Sequence, residues 1–355
     1  MQSLSRSSSF VAAFAAMEIL LALPTAKAAG TLNLLTWEGY ADKSFVKPYE
    51  QESGCKVTAT YVGSNDEMVA KLAGGHASVD LVSPSNDTTM RLIDAGMVEP
   101  IDTARLPNLK QFFPEFQAPQ WLTKEGKLYG VPYGWGIIRI IFDSDAFSGM
   151  PDSLAVLWDP KYKGKIAVWE DIETIYMAAR LLGFKDSYDL TDDQLKAVRD
   201  KLIELKPNIR KWWTTTSEMD DLMYKKEVAG GMAWEATLVG LRKGGRKIVD
   251  LRPKEGRGGW SDSWLVVKGA SGNSCVYSWL NWVSSPKSQA LAHSVTGYGY
   301  SNAKLVDYLD AETKNVYHEL GMDDPNNLKK VDWWKPVQRR DKYLETLKEV
   351  RAAAP

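Results

Sequence analysis

The chain has 355 residues, of which 44% are hydrophobic and 25% are charged, a balance that excludes both an intrinsically disordered protein and a bundle of membrane helices. Its 44 basic and 45 acidic side chains give a net charge of −1, which provides no polybasic surface and argues against a nucleic-acid partner. This length suits two domains or one large one.

The N-terminus has the pattern of a secretory signal peptide. Arg6 precedes an apolar run over residues 10–23, and Ala26-Lys27-Ala28 supplies small residues for cleavage. The run is too short to anchor the chain in a bilayer. We therefore expect residues 1–28 to be removed and the mature protein to be exported and soluble. An amphipathic structural helix is the alternative, because Glu18 interrupts the run.

The first half of the mature chain alternates short apolar strands with helices. The pattern predicts strands at 31–36, 56–62 and 79–82, and helices at 43–52, from Ser64 to Gly74, and from 86 to Gly96. This βαβ order is typical of a parallel sheet flanked by helices. Ligands bind such sheets at the carboxyl ends of the strands, where residues 37–40 and 83–87 follow the first and third strands.

The second half continues as α/β with longer connections. Strands are predicted at 137–142, 165–168 and 263–268 and at a strand end near 231–234, with helices up to 182 and at 192–205, 236–242 and 273–283. The glycines at 134–136 are read as a turn, and residues 256–259 as a loop.

Common catalytic and metal motifs are missing from the sequence. The three histidines have no ligand spacing, and no nucleophile elbow, phosphate loop or dinucleotide fingerprint occurs. We expect no cofactor and no metal. An exported enzyme remains the alternative from another class, through a pair among the 45 acids that the sequence does not identify. Cys55 and Cys275 can form a disulfide in an oxidising compartment, but the sequence leaves their pairing open.

Tryptophans stand beside carboxylates more often than composition alone predicts. Four of the fourteen are followed directly by an acid, at 37–38, 158–159, 169–170 and 234–235, and Trp260 precedes Asp262 by two residues. An indole face attracts a cation, and a carboxylate pairs with its charge. The pattern therefore indicates a site for a small organic ammonium. For any single pair, a core indole beside a surface acid is the alternative interpretation.

A set of sequence blocks in fixed order resembles the periplasmic spermidine/putrescine-binding proteins of ABC importers. The blocks are Thr36-Trp37-Glu38-Gly39-Tyr40, Ser64-Asn65-Asp66-Glu67-Met68, Asp80-Leu81-Val82-Ser83-Pro84-Ser85, Pro132-Tyr133-Gly134-Trp135-Gly136, residues 157–164, Gly231-Met232-Ala233-Trp234, Trp260-Ser261-Asp262-Ser263 and Thr296-Gly297-Tyr298. The resemblance implies an α/β, two-lobed periplasmic binding protein fold of type II. It places 31–138 and 262–303 in lobe one, and 139–261 and 304–348 in lobe two.

The resemblance also implies a ligand site between the lobes. The residues carried over by motif are Trp37, Glu38, Tyr40, Ser85, Asp171, Trp234, Trp260 and Asp262. Asp87 and Glu235 are added where this chain departs from the family pattern by placing acids. Trp158 with Asp159 is interpreted as structural, and Trp169 as either core or cleft. The expected partners are an amine ligand of the putrescine or spermidine type and the membrane permease subunits, and the protein is expected to be a monomer.

The identity of the amine stays open at this stage. Thr174 stands where polyamine binders often place a second acid, and Trp334 where a polar contact is expected, which weakens the case for a plain diamine. If Arg139 or Arg210 reached the cleft, it could hold a carboxylate and select a zwitterion such as 4-aminobutyrate. A sugar receptor is less favoured, because the polar residues of the site are mainly acids.

Overall fold

Two large β-sheets, one small two-stranded sheet and surrounding helices make up the computed structural model, which describes residues 30–75, 78–146 and 150–354. The strands are β1 (Gly30–Thr36), β2 (Cys55–Tyr61), β3 (Leu81–Val82), β4 (Val98–Glu99), β5 (Thr123–Lys124), β6 (Lys127–Leu128), β7 (Gly130–Ile137), β8 (Arg139–Asp143), β9 (Ile166–Trp169), β10 (Ile209–Trp213), β11 (Gly230–Ala233), β12 (Ile248–Leu251), β13 (Arg257–Val267), β14 (Gly299–Tyr300) and β15 (Val331–Trp333). The helices are α1 (Lys43–Ser53), α2 (Asn65–Ala73), α3 (Asn86–Asp94), α4 (Pro114–Gln117), α5 (Glu173–Leu181), α6 (Asp192–Leu205), α7 (Thr216–Tyr224), α8 (Glu235–Lys243), α9 (Ser274–Ser284), α10 (Pro286–Thr296), α11 (Ala311–Glu319), α12 (Pro325–Leu328) and α13 (Arg340–Ala352). The predicted signal peptide, residues 1–28, lies outside the described residues.

The first sheet has the strand order β14-β7-β13-β3-β1-β2, and β4 and β15 also pair with β13. Strands β1, β2 and β3 run parallel, as the βαβ rhythm of the sequence predicts. The long strand β13 runs antiparallel to both β3 and β7 and so occupies the middle of the sheet. The carboxyl ends of β1 and β3 therefore open toward one edge.

The second sheet has the order β10-β9-β11-β8-β12, with β9, β10 and β11 parallel. The chain enters it directly after β7, because only Ile138 separates β7 from β8, and it returns between β12 and β13. Each sheet carries its own helices and buried apolar side chains. These two lobes confirm the predicted α/β fold class.

Several boundaries differ from the sequence-based expectation. The glycines at 134–136 lie inside β7, and β13 begins at Arg257, so residues 257–261 belong to the first sheet. Residues 304–333 also accompany that lobe: β15 pairs with β13, and Tyr317 of α11 packs edge-on against His293 of α10 at 4.9 Å. In the C-terminal part, α13 packs on α6 of the second lobe, where Arg199 pairs with Glu349 at 3.0 Å.

Cys55 and Cys275 form a disulfide between the start of β2 and α9. Both cysteines are fully buried in the first lobe, and they lie 220 residues apart, so the segment that the bridge closes includes the whole second sheet. This settles the pairing that the sequence left open. Over the described ranges, we find no helix whose apolar stretch could bridge a bilayer.

Candidate functional site

A cleft of about 320 Å³ lies between the two lobes. Its walls are formed by Trp37, Glu38, Tyr40, Gly63, Ser64, Asn65, Asp66, Ser85, Asp87, Trp169, Asp171, Ile172, Tyr176, Trp234, Trp260, Asp262, Tyr298, Trp334 and Arg340. Nine of the ten predicted ligand-binding residues are in this set. The ordinary size range of small-molecule pockets begins at about 300 Å³, so the cleft suits a small ligand.

The cleft residues come from the ends of parallel strands in both sheets. In the first lobe, Trp37 follows β1 and Ser85 follows β3. In the second lobe, Trp169 ends β9 and Trp234 follows β11. Carboxyl ends of parallel strands meet at one edge of a sheet, so two such edges facing each other bring these side chains together. The β13 strand adds Trp260 and Asp262 from the first lobe.

Aromatic rings line the cleft from both lobes. Trp234 of the second lobe lies 4.7 Å from Trp169 and 6.3 Å from Trp260 of the first lobe, measured between ring centroids. Trp260 in turn meets Tyr298 edge-on at 4.7 Å, and Trp334 stacks near Trp169 at 6.2 Å. Indole faces attract cations and cover alkyl chains, so this wall suits an organic ammonium.

Asp262 is the buried acid of the cleft, with 4% of its surface exposed. The Tyr40 hydroxyl donates a hydrogen bond to its Oδ2 at 2.7 Å, and a backbone bridge places Ser85 beside it. Its Oδ1 has no hydrogen-bond partner among the residues described by the structure. Burial raises the pKa of Asp262 to about 7, although the Ser85 and Tyr40 side chains oppose this rise. We call Tyr40, Trp260, Asp262 and Tyr298 the Asp262 end of the cleft.

Glycines in β7 make room for this end. A Cβ atom on Gly134 would lie 2.4 Å from the Tyr40 hydroxyl oxygen, and one on Gly136 would lie 2.7 Å from the indole atoms of Trp260. Contacts this short force a side chain to move. Residues 134–136, predicted from the sequence to form a turn, are therefore part of a strand in which two glycines leave space for two cleft residues.

Three acids and one guanidinium form a second part of the cleft wall, which we call the Arg340 end: Asp66, Asp87, Asp171 and Arg340. Arg340 Nη1 lies 3.9 Å from Asp87 Oδ2, and Nε lies 4.0 Å from Asp66 Oδ2. Burial raises the pKa of Asp87 to about 6, and the Arg340 charge opposes that shift. Burial also raises the pKa of Asp171, whose Oδ1 accepts the Glu173 backbone N–H at 3.0 Å.

Glu235 is the one predicted site residue that the structure places outside the cleft. It is fully buried at the start of α8, where Oε1 accepts the Ile137 N–H at 2.6 Å and faces Arg139 Nε at 3.3 Å. Arg139 is equally buried and also donates to Asp250 at 2.8 Å. A buried guanidinium needs such partners. Glu235 therefore pairs with Arg139 at the crossing between the lobes, residues 137–139, where the chain passes from β7 to β8, and it does not face the ligand.

The two arginines considered as carboxylate clamps do not line the cleft. Arg139 belongs to the buried pair just described, and Arg210 forms an exposed ion pair with Glu227 at 3.0 Å. The cationic residue of the cleft wall is Arg340, which the sequence analysis did not identify. It begins a helix far along the chain, and no local motif separates it from the basic residues around it. Tyr298 and Trp334 also line the cleft. The sequence places Tyr298 in one of the family blocks and Trp334 at a departure from the family pattern, but it does not predict that either residue contacts a ligand.

Comparisons with known proteins agree with this architecture. A family model described as a bacterial extracellular solute-binding protein matches residues 44–319. The spermidine/putrescine-binding periplasmic protein of Salmonella typhimurium is 28% identical over 314 residues, which are 86% of this chain and 87% of that protein. Spermidine/putrescine-binding periplasmic protein 1 of Haemophilus influenzae is 24% identical over 338 residues, or 92% of this chain and 91% of that protein.

Solved structures share the fold over nearly their whole length. The spermidine/putrescine ABC transporter substrate-binding protein of Streptococcus pneumoniae aligns with a TM-score of 0.79 at 21% identity, covering 91% of this chain and 99% of that one. A structure described as a GABA receptor aligns with a TM-score of 0.70 at 19% identity, covering 92% and 98%. In the described part of the chain, no group of three or more His, Cys, Asp or Glu residues is arranged to hold a metal ion. Because the family model covers well over half of the sequence, this chain belongs to the bacterial extracellular solute-binding proteins.

Proposed function

We propose that this protein is the substrate-binding component of an ABC importer and captures a small aliphatic amine between its lobes, with putrescine and spermidine as the first candidates. The observation that carries the proposal is the Asp262 end, where a buried carboxylate oxygen without a protein partner lies among aromatic side chains. The names of the relatives from Salmonella and Haemophilus support the same ligand class.

Binding rests on one charge pair and several apolar contacts. An ammonium donates hydrogen bonds to Asp262, whose ionised form it stabilises, and its alkyl chain lies against Trp260 and Trp234. Trp234 belongs to the second lobe and Asp262 to the first, so a ligand that touches both favours the closed arrangement of the lobes. Glu38 is exposed at the entrance and adds negative charge that attracts the amine.

The remaining parts of the proposal concern the protein's setting. The signal-peptide pattern of residues 1–28 directs the chain to the periplasm, and the closed, loaded protein delivers its amine to membrane permease subunits. It acts as a monomer and performs no catalysis. The periplasmic binding proteins to which this chain is similar support the location and the transport role.

A ligand panel tests the proposal. Thermal unfolding of the mature protein is followed with putrescine, spermidine, 4-aminobutyrate and a neutral disaccharide, and binding is then measured by calorimetry. We expect at least one amine to raise the unfolding temperature and to be recovered unchanged. If none of the amines binds, or if an amine is converted into a product, the proposal is wrong.

A further inference from the structure

Arg340 is the cationic residue among the described residues that line the cleft, and its side chain, 39% exposed, occupies a slightly unfavourable position. It is the first residue of α13, where the positive end of the helix dipole disfavours a basic side chain. Its Nε–H is shielded from solvent and has no hydrogen-bond partner within the described part of the chain. A guanidinium kept at such a place points to a role that the helix itself does not require.

The acids around Arg340 are already held by other groups. Asp66 forms a closer ion pair with Arg91, at 3.1 Å, than with Arg340, at 4.0 Å. Asp87 Oδ1 accepts hydrogen bonds from Thr88 at 3.2 Å and Asn65 at 3.4 Å. The oxygens of Asp66 and Asp87 therefore stay beyond hydrogen-bond distance of the guanidinium, and its Nε–H is left without a partner at the cleft wall, where a ligand oxygen could accept from it.

A second ammonium in contact with the guanidinium of Arg340 suits this end less well than an oxygen acceptor does. It would lie beside a fixed positive charge, and like charges brought together inside an interface are costly, although the carboxylates of Asp87 and Asp171 offset part of this cost. A carboxylate or an acyl carbonyl at the same place accepts hydrogen bonds from the guanidinium instead. The two ends of the cleft thus favour different ligand groups, an ammonium near Asp262 and an oxygen acceptor near Arg340.

We propose that Arg340 determines ligand specificity at the Arg340 end of the cleft. The preferred ligand then carries an ammonium at one end of its chain and a carboxylate or acyl oxygen at the other. This inference rests on the proposed function and narrows it from aliphatic amines in general to amines with a single positive charge. It concerns the bound ligand only and involves no chemical step.

Three ligands with the same four-carbon chain test the inference by calorimetry: putrescine, 4-aminobutyrate and N-acetylputrescine. The unmodified protein is expected to bind one of the two oxygen-bearing ligands at least about tenfold more tightly than putrescine. Preference for 4-aminobutyrate indicates a carboxylate at the Arg340 end, and preference for N-acetylputrescine indicates an acyl carbonyl.

Variants separate charge from shape. Arg340→Gln should reduce the ratio of the affinity for the oxygen-bearing ligand to the affinity for putrescine by at least about tenfold. Arg340→Lys keeps the positive charge, so it should still bind putrescine more weakly than the oxygen-bearing ligand, although its affinity for a carboxylate ligand should fall. Arg339→Gln is the matched control, because Arg339 pairs with Asp192 outside the cleft, and its ligand preference should equal that of the unmodified protein. Thermal unfolding confirms that each variant is folded.

The outcomes separate a failure of the Arg340 inference from a failure of the proposed amine-binding function. If putrescine binds as tightly as the other two, or if Arg340→Gln leaves the ratio of affinities unchanged, Arg340 does not set specificity, while the amine-binding function stands. If the unmodified protein binds none of the three and no other amine, the proposed function fails, and the inference fails with it.

Discussion

Replacing Asp262 by asparagine should abolish tight amine binding and, at the same time, stabilise the unliganded protein. The carboxyl group is 4% exposed, and burial raises its pKa from the ordinary value of 3.8 to about 7. That difference in pKa corresponds to about 4 kcal/mol spent on keeping the ionised acid in the folded protein. Asparagine keeps the shape and can still accept the Tyr40 hydrogen bond, so the variant should recover about 2–4 kcal/mol of unfolding free energy at pH 8.

The sign of the pH dependence follows from the direction of the shift. Because the folded protein holds the Asp262 proton more tightly than the unfolded chain does, the destabilisation develops as pH rises from about 4 to about 7 and is complete above that. The stability gain of Asp262→Asn should therefore shrink at pH 5 to less than about half of its value at pH 8. Urea unfolding at the two pH values measures this difference.

Binding should change in the opposite direction. Loss of the charge partner of a desolvated ammonium costs about 3 kcal/mol or more, which calorimetry would record as an affinity lower by about 100-fold. Asp221→Asn is the control, because that acid lies outside the cleft with a side chain that is 68% exposed, and its effect on both measurements should be small. Native affinity in Asp262→Asn, or a variant less stable than the parent at pH 8, would refute the reasoning.

Three further changes probe the cleft, the crossing between the lobes, and the disulfide. Gly136→Ala should displace a cleft indole, whose ring atoms lie 2.7 Å from the added Cβ, and lower amine affinity at least about tenfold by calorimetry, whereas Gly240→Ala meets no atom within 4 Å and should leave affinity unchanged. Glu235→Gln should cost about 3 kcal/mol in urea unfolding because it leaves a buried guanidinium underpaired, yet alter affinity less than about twofold; an affinity loss at unchanged stability would return Glu235 to the ligand site. Removal of the disulfide by Cys55→Ser with Cys275→Ser should cost about 5 kcal/mol of unfolding free energy, given the 220 residues that it closes, and an unchanged urea midpoint would contradict this.

Local signals in the sequence predicted the parallel strands and their helices well. The helix at 192–205 is observed with the predicted ends, since Thr191 and Gln194 form a reciprocal capping box that is visible in the sequence. The start of β13 was missed because Gly258 and Gly259 resemble a loop. In the structure a Cβ on Gly258 would lie 2.3 Å from a Glu173 carboxylate oxygen, and one on Gly259 would lie 2.2 Å from Val331. Those neighbours come from other elements, so local pattern could not reveal why glycine occupies a strand.

The spacing of tryptophan and acid along the chain explains which sequence pairs could serve one ligand. Direct neighbours at an element boundary do not always share a site: Trp37 and Glu38 both line the cleft, whereas Trp234 faces the cleft and Glu235 is buried against Arg139. Trp260 and Asp262 are two residues apart on β13, and alternate residues of a strand share a face, so both reach the same cavity. Within a strand, the second position and not direct adjacency therefore brings an aromatic face and a negative charge to the same side of the sheet, as Trp260 and Asp262 do here.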